Sequence, residues 1–450
     1  MDLKDKRVLV VGLGKSGVAS ALFLKDQGAR VTVSDTKSPD QLRDEIPILL
    51  DHGITVETGG HGERTFRGQD LIVVSPGVPV DAPPLVQARA SGEPVIGEIE
   101  LAGQHLPGPI VAITGSNGKT TTTSLAGEIL AAGGFPTLVG GNIGTPAISL
   151  VPQAARDTMV VLEVSSFQLE TIATFRPKVA VILNITPDHL DRHRTLEAYV
   201  AAKVRIFENQ QASDFAVLNE DDPTCRTLGD RRRPQVYWFS RKKEVRQGAC
   251  VREGQIVFRD GQSQREIMLV SEIPLKGAHN VENVLAAICT GALMGCPPAK
   301  IREAVQHFKA VEHRLEYVAT VKGVEYYNDS KATNVDATIK ALESFPKNIH
   351  LILGGKDKGS DYTVLNDLLK ERVKRVYTIG AAAEKIESHI KGAAEVVHAE
   401  TLENAIRRAS AVAQPGDIVL LAPACASFDQ FQSYNHRGRV FKEVVHSLGT

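Results

Sequence analysis

Two glycine loops and a scattered set of oxygen and nitrogen ligands carry the chemistry that this chain makes legible. Thr114-Gly115-Ser116-Asn117-Gly118-Lys119-Thr120 sits between an apolar run, Ile110 to Ile113, and a helical pattern. Backbone amides in such a loop can cradle phosphates, Lys119 can reach the β- and γ-phosphates, and the Thr120 hydroxyl can hold Mg²⁺. The spacing departs from the strict P-loop, because two residues rather than four separate Gly115 from Gly118. A tight strand-helix turn without a ligand is the alternative, and Gly-Lys-Thr at that junction outweighs it. Nearer the N-terminus, Gly12-Leu13-Gly14-Lys15-Ser16-Gly17 follows the apolar run from Arg7 to Val11, and Asp35 ends the next strand pattern. That is the context of a dinucleotide fold, with a helix N-terminus facing a phosphate. Taken alone, this loop leaves a NAD or FAD site and a bare packing turn both open.

Metal partners come next. Glu163 ends the apolar run 159–163, placed like the carboxylate that holds Mg²⁺ or its water in P-loop folds. The following strand pattern runs into Asn184-Ile185-Thr186-Pro187-Asp188-His189-Leu190-Asp191-Arg192-His193. His-x-Asp-x-His invites a zinc reading, but residues at i, i+2 and i+4 rarely converge on one ion. Lys203, in a helical Ala201-Ala202-Lys203 context, would ordinarily be a solvated lysine, and its spacing alone says nothing more. A phosphate-cleaving loop in mid-chain also weakens a redox reading of the first loop, since a redox enzyme needs no second site of that kind.

These groups need a scaffold, and composition bounds it. At roughly 100–200 residues per domain, 450 residues imply about three domains. A hydrophobic content of 42% and a charged content of 23% exclude disorder and collagen-like repeats. Lys plus Arg number 52 against 53 Asp plus Glu, so no whole-protein field draws nucleic acid or an anionic membrane. No apolar run approaches the ~20 residues of a membrane span. The charged start, Met1-Asp2-Leu3-Lys4, runs straight into a strand pattern, so no signal peptide is expected. Five cysteines, at 225, 250, 289, 296 and 425, are odd in number and lack metal-ligand spacing, which fits reduced thiols in a cytoplasm. Cys425 reads as a small buried residue rather than a reactive thiol.

Buried strands alternate with helices in the first block, at 7–11, 30–34, 54–57, 71–74 and 94–96, which predicts a doubly wound parallel sheet. A Pro/Gly-flanked connection at 104–109 opens a second block with strands at 110–113, 159–163 and 178–183. Its polar, Arg-rich stretch 226–262 reads as irregular or β. A third block after Phe308 alternates again, with strands at 324–328, 349–353, 374–379, 394–397 and 417–421.

Taken together, Gly-Ser-Asn-Gly-Lys-Thr at 115–120, Leu-Glu-Val-Ser-Ser-Phe-Gln-Leu at 162–169, Asn-Ile-Thr-Pro-Asp-His-Leu-Asp at 184–191, Lys-Gly-Ala-His-Asn-Val-Glu-Asn at 276–283, Glu-His-Arg at 312–314 and Asn-Asp-Ser-Lys-Ala-Thr-Asn at 328–334 resemble the Mur ligases. These are ATP-dependent amide-forming enzymes of cell-wall precursor synthesis. Ser34-Asp35-Thr36, Ser75-Pro76-Gly77-Val78-Pro79, Gly140-Gly141-Asn142-Ile143-Gly144 and Pro423-Ala424-Cys425-Ala426-Ser427-Phe428-Asp429-Gln430 are most similar to the branch that adds D-glutamate to UDP-N-acetylmuramoyl-L-alanine. The resemblance covers essentially the whole chain, in order.

It implies an α/β chain of three domains: a Rossmann-like UDP-binding domain at 1–97, a central P-loop ATPase-like domain at 98–310, and a Rossmann-like domain at 311–450 that takes the incoming amino acid. By the same resemblance Ser16, Asp35, Thr36 and Gly77 surround the UDP, with Asn142 and His189 near the muramoyl part. Gly115, Ser116, Asn117, Gly118, Lys119, Thr120 and Thr121 hold the ATP phosphates, and Asn280, Arg314 and Asp329 lie along the nucleotide. Thr120, Glu163 and His189 are expected on Mg²⁺, joined by Lys203 as a CO₂-derived carbamate; Lys119, Glu163, His189 and Lys203 form the catalytic set. Lys331, Thr333, Lys358, Ser427 and Phe428 match positions that receive D-glutamate, and lysines with small hydroxyls suit a dicarboxylate. Tyr434 stands where some relatives have Phe, which leaves its role open. The implied reaction passes through an acyl phosphate, and the implied protein is a cytoplasmic monomer that closes its third domain on its substrates. Sibling ligases adding another amino acid, a folylpolyglutamate synthase, and an NAD(P)-binding protein are the rivals; the Asp-Asn-Pro-Arg motif of the diamino-acid-adding enzymes is absent.

Overall fold

Runs of Val, Ile and Leu form strands that are buried on both faces, as parallel strands covered by helices are. Leu71–Val74, Ile110–Thr114, Met159–Glu163 and Val179–Ile182 are buried throughout, and Arg7–Val11 is buried apart from Arg7. The computed structural model describes residues 2–62, 64–230, 233–261, 263–309 and 311–449. Among the described residues the strands make three sheets.

The first sheet is wholly parallel, in the order Thr55–Glu57, Arg30–Ser34, Arg7–Val11, Leu71–Val74, Val95–Gly97. In the second, Thr137–Gly141, Met159–Glu163, Ile110–Thr114, Val179–Ile182, Phe215–Asn219, Gln235–Ser240 and Gly248–Arg252 run parallel, and the antiparallel strands Gln255–Asp260 and Ser263–Leu269 finish the edge. The third sheet orders Glu316–Val321, Val324–Asn328, Ile418–Leu421, Ile349–Gly354, Val373–Ile379 and Glu395–Glu400, with only the first pair antiparallel.

The stretch 226–262 contains regular strands. Gln255–Asp260 and Ser263–Leu269 carry polar residues because an antiparallel edge can keep one face wet. Thr137–Gly141 escaped the sequence reading because its Gly140 and Gly141 lower strand propensity. It forms by pairing with Met159–Glu163 from Thr137 to Gly141.

The chain divides into two compact units. The first comprises Met1–Ile185, Arg192–Val270 and Asn283–Val305, and holds the first two sheets. Helices Lys15–Asp26 and Glu98–His105 pack on the 3₁₀ turn Ala147–Gln153, so the two sheets share one apolar core. The second unit comprises Thr186–Asp191, Ser271–Glu282 and Gln306–Thr450. Its core lies on both faces of the third sheet: along Ile349–Gly354, Leu351 and Leu353 enter one cluster and Ile352 the other, the alternation of a strand. Among the described residues no helix is long and apolar enough to cross a membrane. All five cysteines are free and buried.

Candidate active site

The phosphate-type loop leaves strand Ile110–Thr114 and enters helix Lys119–Ala132. Gly118 caps that helix at φ 85°, and a side chain there would strike Asn283, so glycine is required twice over. The loop is clamped from the neighbouring strand end. Asn184 accepts from the Ser116 N–H with its carbonyl at 3.0 Å and from the Asn117 N–H with Oδ1 at 2.8 Å, and its Nδ2 donates to the Asn117 carbonyl at 3.1 Å. Lys119 Nζ folds back to donate to the carbonyls of Gly115 and Ser116, both at 2.8 Å. The first-turn amides of the helix have no carbonyl of their own helix to meet, which makes this end a natural anion seat.

Three adjacent strands bring the metal-type ligands together. Glu163, 1% exposed, accepts from the Thr120 hydroxyl at Oε2 and from the Asn142 amide at Oε1, both at 2.8 Å. Asn142 also donates its backbone N–H to the Glu163 carbonyl at 2.8 Å. Thr120 and Glu163 offer adjacent oxygen donors of the kind that hard divalent cations take. Lys203 is not the solvated lysine that such a helical context ordinarily holds: it is 1% exposed. Its Nζ donates to the Gly115 carbonyl at 2.9 Å and Thr114 Oγ1 at 3.2 Å, and it lies over the Tyr199 ring, whose hydroxyl meets Ser116 Oγ at 3.1 Å. The lysine therefore reaches the root of the loop.

The first glycine loop is held by packing and by one carboxylate. A side chain at Gly17 would collide with the Gly12 carbonyl, and Ser75 Oγ donates to that carbonyl at 2.7 Å. Asp35 accepts from the N–H groups of Leu13 at 2.6 Å and Lys37 at 2.8 Å, fixing the loop to the next strand end. Ser16 is half-buried in the first helical turn, whereas Thr36 and Gly77 are exposed. Arg192 anchors the 75–79 segment, donating to the carbonyls of Pro76 and Val78 and to Glu170 at 2.9, 3.1 and 2.9 Å. His193 is a core histidine in contact with Ser166 Oγ at 2.9 Å and stacked on Phe167, which removes it from a zinc set; the Asp191 side chain lies outside what the structure describes.

In the second unit a cavity of about 660 Å³ is lined by His189, Lys331, Thr333, Lys356, Asp357, Lys358, Gly359, Ala426, Ser427, Phe428 and Tyr434. All five positions expected for the amino acid thus share one cavity with His189. Lys331 Nζ sits 3.8 Å from the centroid of the Tyr434 ring, so the tyrosine forms the face against which that cation lies. Asp188 draws His189 and Lys358 to this place: its carboxylate accepts from the His189 N–H at 2.9 Å and from Asn334 Nδ2 at 3.1 Å, with Lys358 Nζ 3.9 Å away. Burial pushes the Asp357 carboxyl up, but the bonds from Lys385 and Tyr362 outweigh it and leave it below the usual range. The cavity is therefore rich in cations, with one firmly ionised carboxylate at its wall. Cys425 lies behind it, its thiol pushed up to about 11 by burial and so protonated and inert at neutral pH.

Asn280, Arg314 and Asp329 belong to the same unit. Asn280 Nδ2 donates to the Lys276 carbonyl at 2.6 Å. Burial pushes Asp329 up to about 7 against the pull of the Arg314 guanidinium and the Leu315 N–H. Burial also pushes His279 down to about 4, with Lys340 and Arg314 adding to it, so this imidazole is neutral at pH 7. Asn184, Arg192 and Asp188 were missed as site-builders by sequence reasoning; Asn184 and Asp188 stand inside quoted motifs, but only tertiary contacts reveal their work.

Comparison with known proteins adds a name to this geometry. Family profiles match in chain order: "Mur ligase MurD-like, N-terminal domain" at residues 6–97, "Mur ligase middle domain" at 113–291 and "Mur ligase, glutamate ligase domain" at 313–425. A UDP-N-acetylmuramoylalanine–D-glutamate ligase of Koribacter versatilis (strain Ellin345) is 70% identical over 448 residues, covering 100% of this chain and 99% of the relative. One from Acidobacterium capsulatum is 60% identical over 447 residues, covering 99% and 97%. Among solved structures, MurF ligase of Thermotoga maritima in complex with ADP superposes with a TM-score of 0.62 at 19% identity, covering 93% of this chain and 95% of that one. The UDP-N-acetylmuramate–alanine ligase MurC of the same organism gives 0.60 at 21%, covering 98% and 99%. At such identities the structures speak for the fold alone.

Proposed function

This chain belongs to the Mur ligase family, ATP-dependent enzymes of peptidoglycan precursor synthesis, and from that premise we propose that it joins D-glutamate to UDP-N-acetylmuramoyl-L-alanine. The observation that carries this reading is the 70% identity, over the full chain, to a relative bearing that name. The lysine-lined cavity supports it, since three ammonium groups and three hydroxyls match a dicarboxylic amino acid.

The chemistry assigns work to each unit. The L-alanyl carboxylate attacks the γ-phosphorus of ATP, the bond to the β-phosphate breaks, and ADP leaves an acyl phosphate. The D-glutamate amine then attacks the acyl carbon and expels phosphate, its proton passing to solvent. Both steps crowd anions together. Lys119 and the loop amides of 115–121 are proposed to neutralise the transferring phosphoryl oxygens. Thr120 and Glu163, already in contact, fit Mg²⁺, with His189 and a carbamylated Lys203 as further ligands; bound there, the ion would supply charge neutralisation at the phosphates. The burial of Lys203 at the root of the loop is compatible with that reading, since a carbamate would keep one N–H to donate to the Gly115 carbonyl. Ser16, Asp35, Thr36 and Gly77 are the proposed UDP contacts, Asn142 a muramoyl contact, and Asn280, Arg314 and Asp329 nucleotide contacts. Lys331, Thr333, Lys358, Ser427 and Phe428 are proposed to seat D-glutamate. The division follows residues 1–97, 98–310 and 311–450, and the protein works as a cytoplasmic monomer.

Phosphate release from ATP tests the reading. Release that requires both UDP-N-acetylmuramoyl-L-alanine and D-glutamate, with L-glutamate and L-alanine inactive, is the expected result. Release with another amino acid moves the assignment to a sibling ligase, and none with any of them overturns it.

A further inference from the structure

Arg437 is the largest fully buried side chain among the described residues, at 0% exposure in helix Tyr434–Ser447. Its guanidinium donates to oxygens of two loops. Nε donates to Ser330 Oγ at 3.0 Å and one terminal nitrogen to the Ser330 carbonyl at 2.8 Å. The Cys425 carbonyl accepts from both terminal nitrogens at 3.2 Å, and the Ala426 carbonyl from one at 3.5 Å. Ser330 Oγ in turn donates to the Tyr434 carbonyl at 2.9 Å, bringing in the start of the helix. One guanidinium thus ties together the three segments that carry Lys331 and Thr333, Ser427 and Phe428, and Tyr434. These five residues line the cavity, and Arg437 does not.

Two further features show that the turn needs such a tie. Ala424, without the freedom of glycine, sits at φ 57°, a strained conformation that surrounding structure has to enforce. Gly355, at φ 136°, packs so closely that a Cβ would strike the Ala426 carbonyl and come within 3.2 Å of the guanidinium. The planar fork matters because it engages four acceptors at once, which a lysine cannot do. A buried cation is costly, so its retention points to work beyond packing. Burial lowers the group only to about 10, so it stays charged at neutral pH.

We propose that Arg437 is a positioning residue for the amino-acid cavity: it fixes the loops around Ser330 and Cys425-Ala426 and holds a positive charge behind the wall that meets the incoming dicarboxylate. This rests on the assignment of that cavity to D-glutamate. Arg437→Lys keeps the charge but loses the fork. It is expected to raise KM for D-glutamate about tenfold or more, with KM for ATP and for the UDP substrate within about twofold of wild type. Arg437→Gly with added guanidinium ion should recover part of that loss. Ser330→Ala, which removes only the Oγ contacts, should shift the same KM in the same direction by a smaller factor, and it decides the matter if the Arg437 variants fail to fold. Equal changes in all three KM values, or an unchanged D-glutamate KM in folded variants, would overturn the proposal. An inactive wild type with D-glutamate would instead overturn the substrate assignment.

Discussion

Glu98 opens helix Glu98–His105 and is 1% exposed, in the core shared by the first two sheets. Its Oε1 accepts from the Ile148 N–H at 2.8 Å, whereas its buried Oε2 makes no hydrogen bond. Burial pushes this carboxyl from the ordinary 4.5 to about 7, partly opposed by the Ile148 N–H and the nearby Gln168 amide. The folded state therefore holds a proton between pH 4.5 and 7 that the unfolded chain has released. Stability is fully present below 4.5 and falls as pH rises through 7. At about 1.4 kcal/mol per pH unit, that window is worth about 3 kcal/mol. Glu98→Gln locks in the neutral shape and keeps an acceptor for Ile148, so it should erase this slope and make the variant more stable than wild type at pH 8. Urea unfolding followed by Trp238, the single tryptophan, reads the same unit. Between pH 5 and 8 the wild type should lose about 3 kcal/mol more than the variant, up to about 1 M in urea midpoint for a slope near 3 kcal/mol/M. Parallel pH profiles for the two proteins would refute the reasoning, because a group that titrates identically folded and unfolded contributes no slope.

Other substitutions probe the site itself. Lys119→Ala should lower kcat by roughly 10³-fold, the scale of a lost charge contact made in the transition state, and near-normal turnover would sink its assignment to the phosphates. Lys203→Ala should abolish most activity, and short carboxylic acids should restore part of it by standing in for a carbamate; no restoration at any concentration counts against that modification. Asp35→Ala frees the N–H groups of Leu13 and Lys37 and should raise KM for the UDP substrate far more than KM for ATP; equal changes would place Asp35 elsewhere.

Chemistry that is local in the chain was legible in the sequence. Residues 114–120 carry their loop conformation and their donors within seven positions, so strand, glycine, lysine and threonine declare themselves together. Apolar runs such as 159–163 and 349–353 announced buried strands because parallel strands are apolar on both faces. Lys331, Thr333, Lys358 and Ser427 were picked out only by the family resemblance, to which their types then conform. Convergence was expected only through the family resemblance and is not written in any one segment. Thr120, Glu163 and Asn142 meet because Ile110–Thr114, Met159–Glu163 and Thr137–Gly141 are neighbours in one sheet, an order that no residue of those strands specifies alone. Lys203 read as solvated and is buried, because its helix lays it under the loop rather than in water. Arg437 bonds to Ser330, 107 residues away, and Glu98 to Ile148, 50 residues away. Residue types and their local order settle which groups are available and which short segments present them. The tertiary structure decided which groups touch, which are dried out and therefore shifted or clamped, because desolvation and hydrogen-bond geometry depend on chain segments whose separation leaves no local signal.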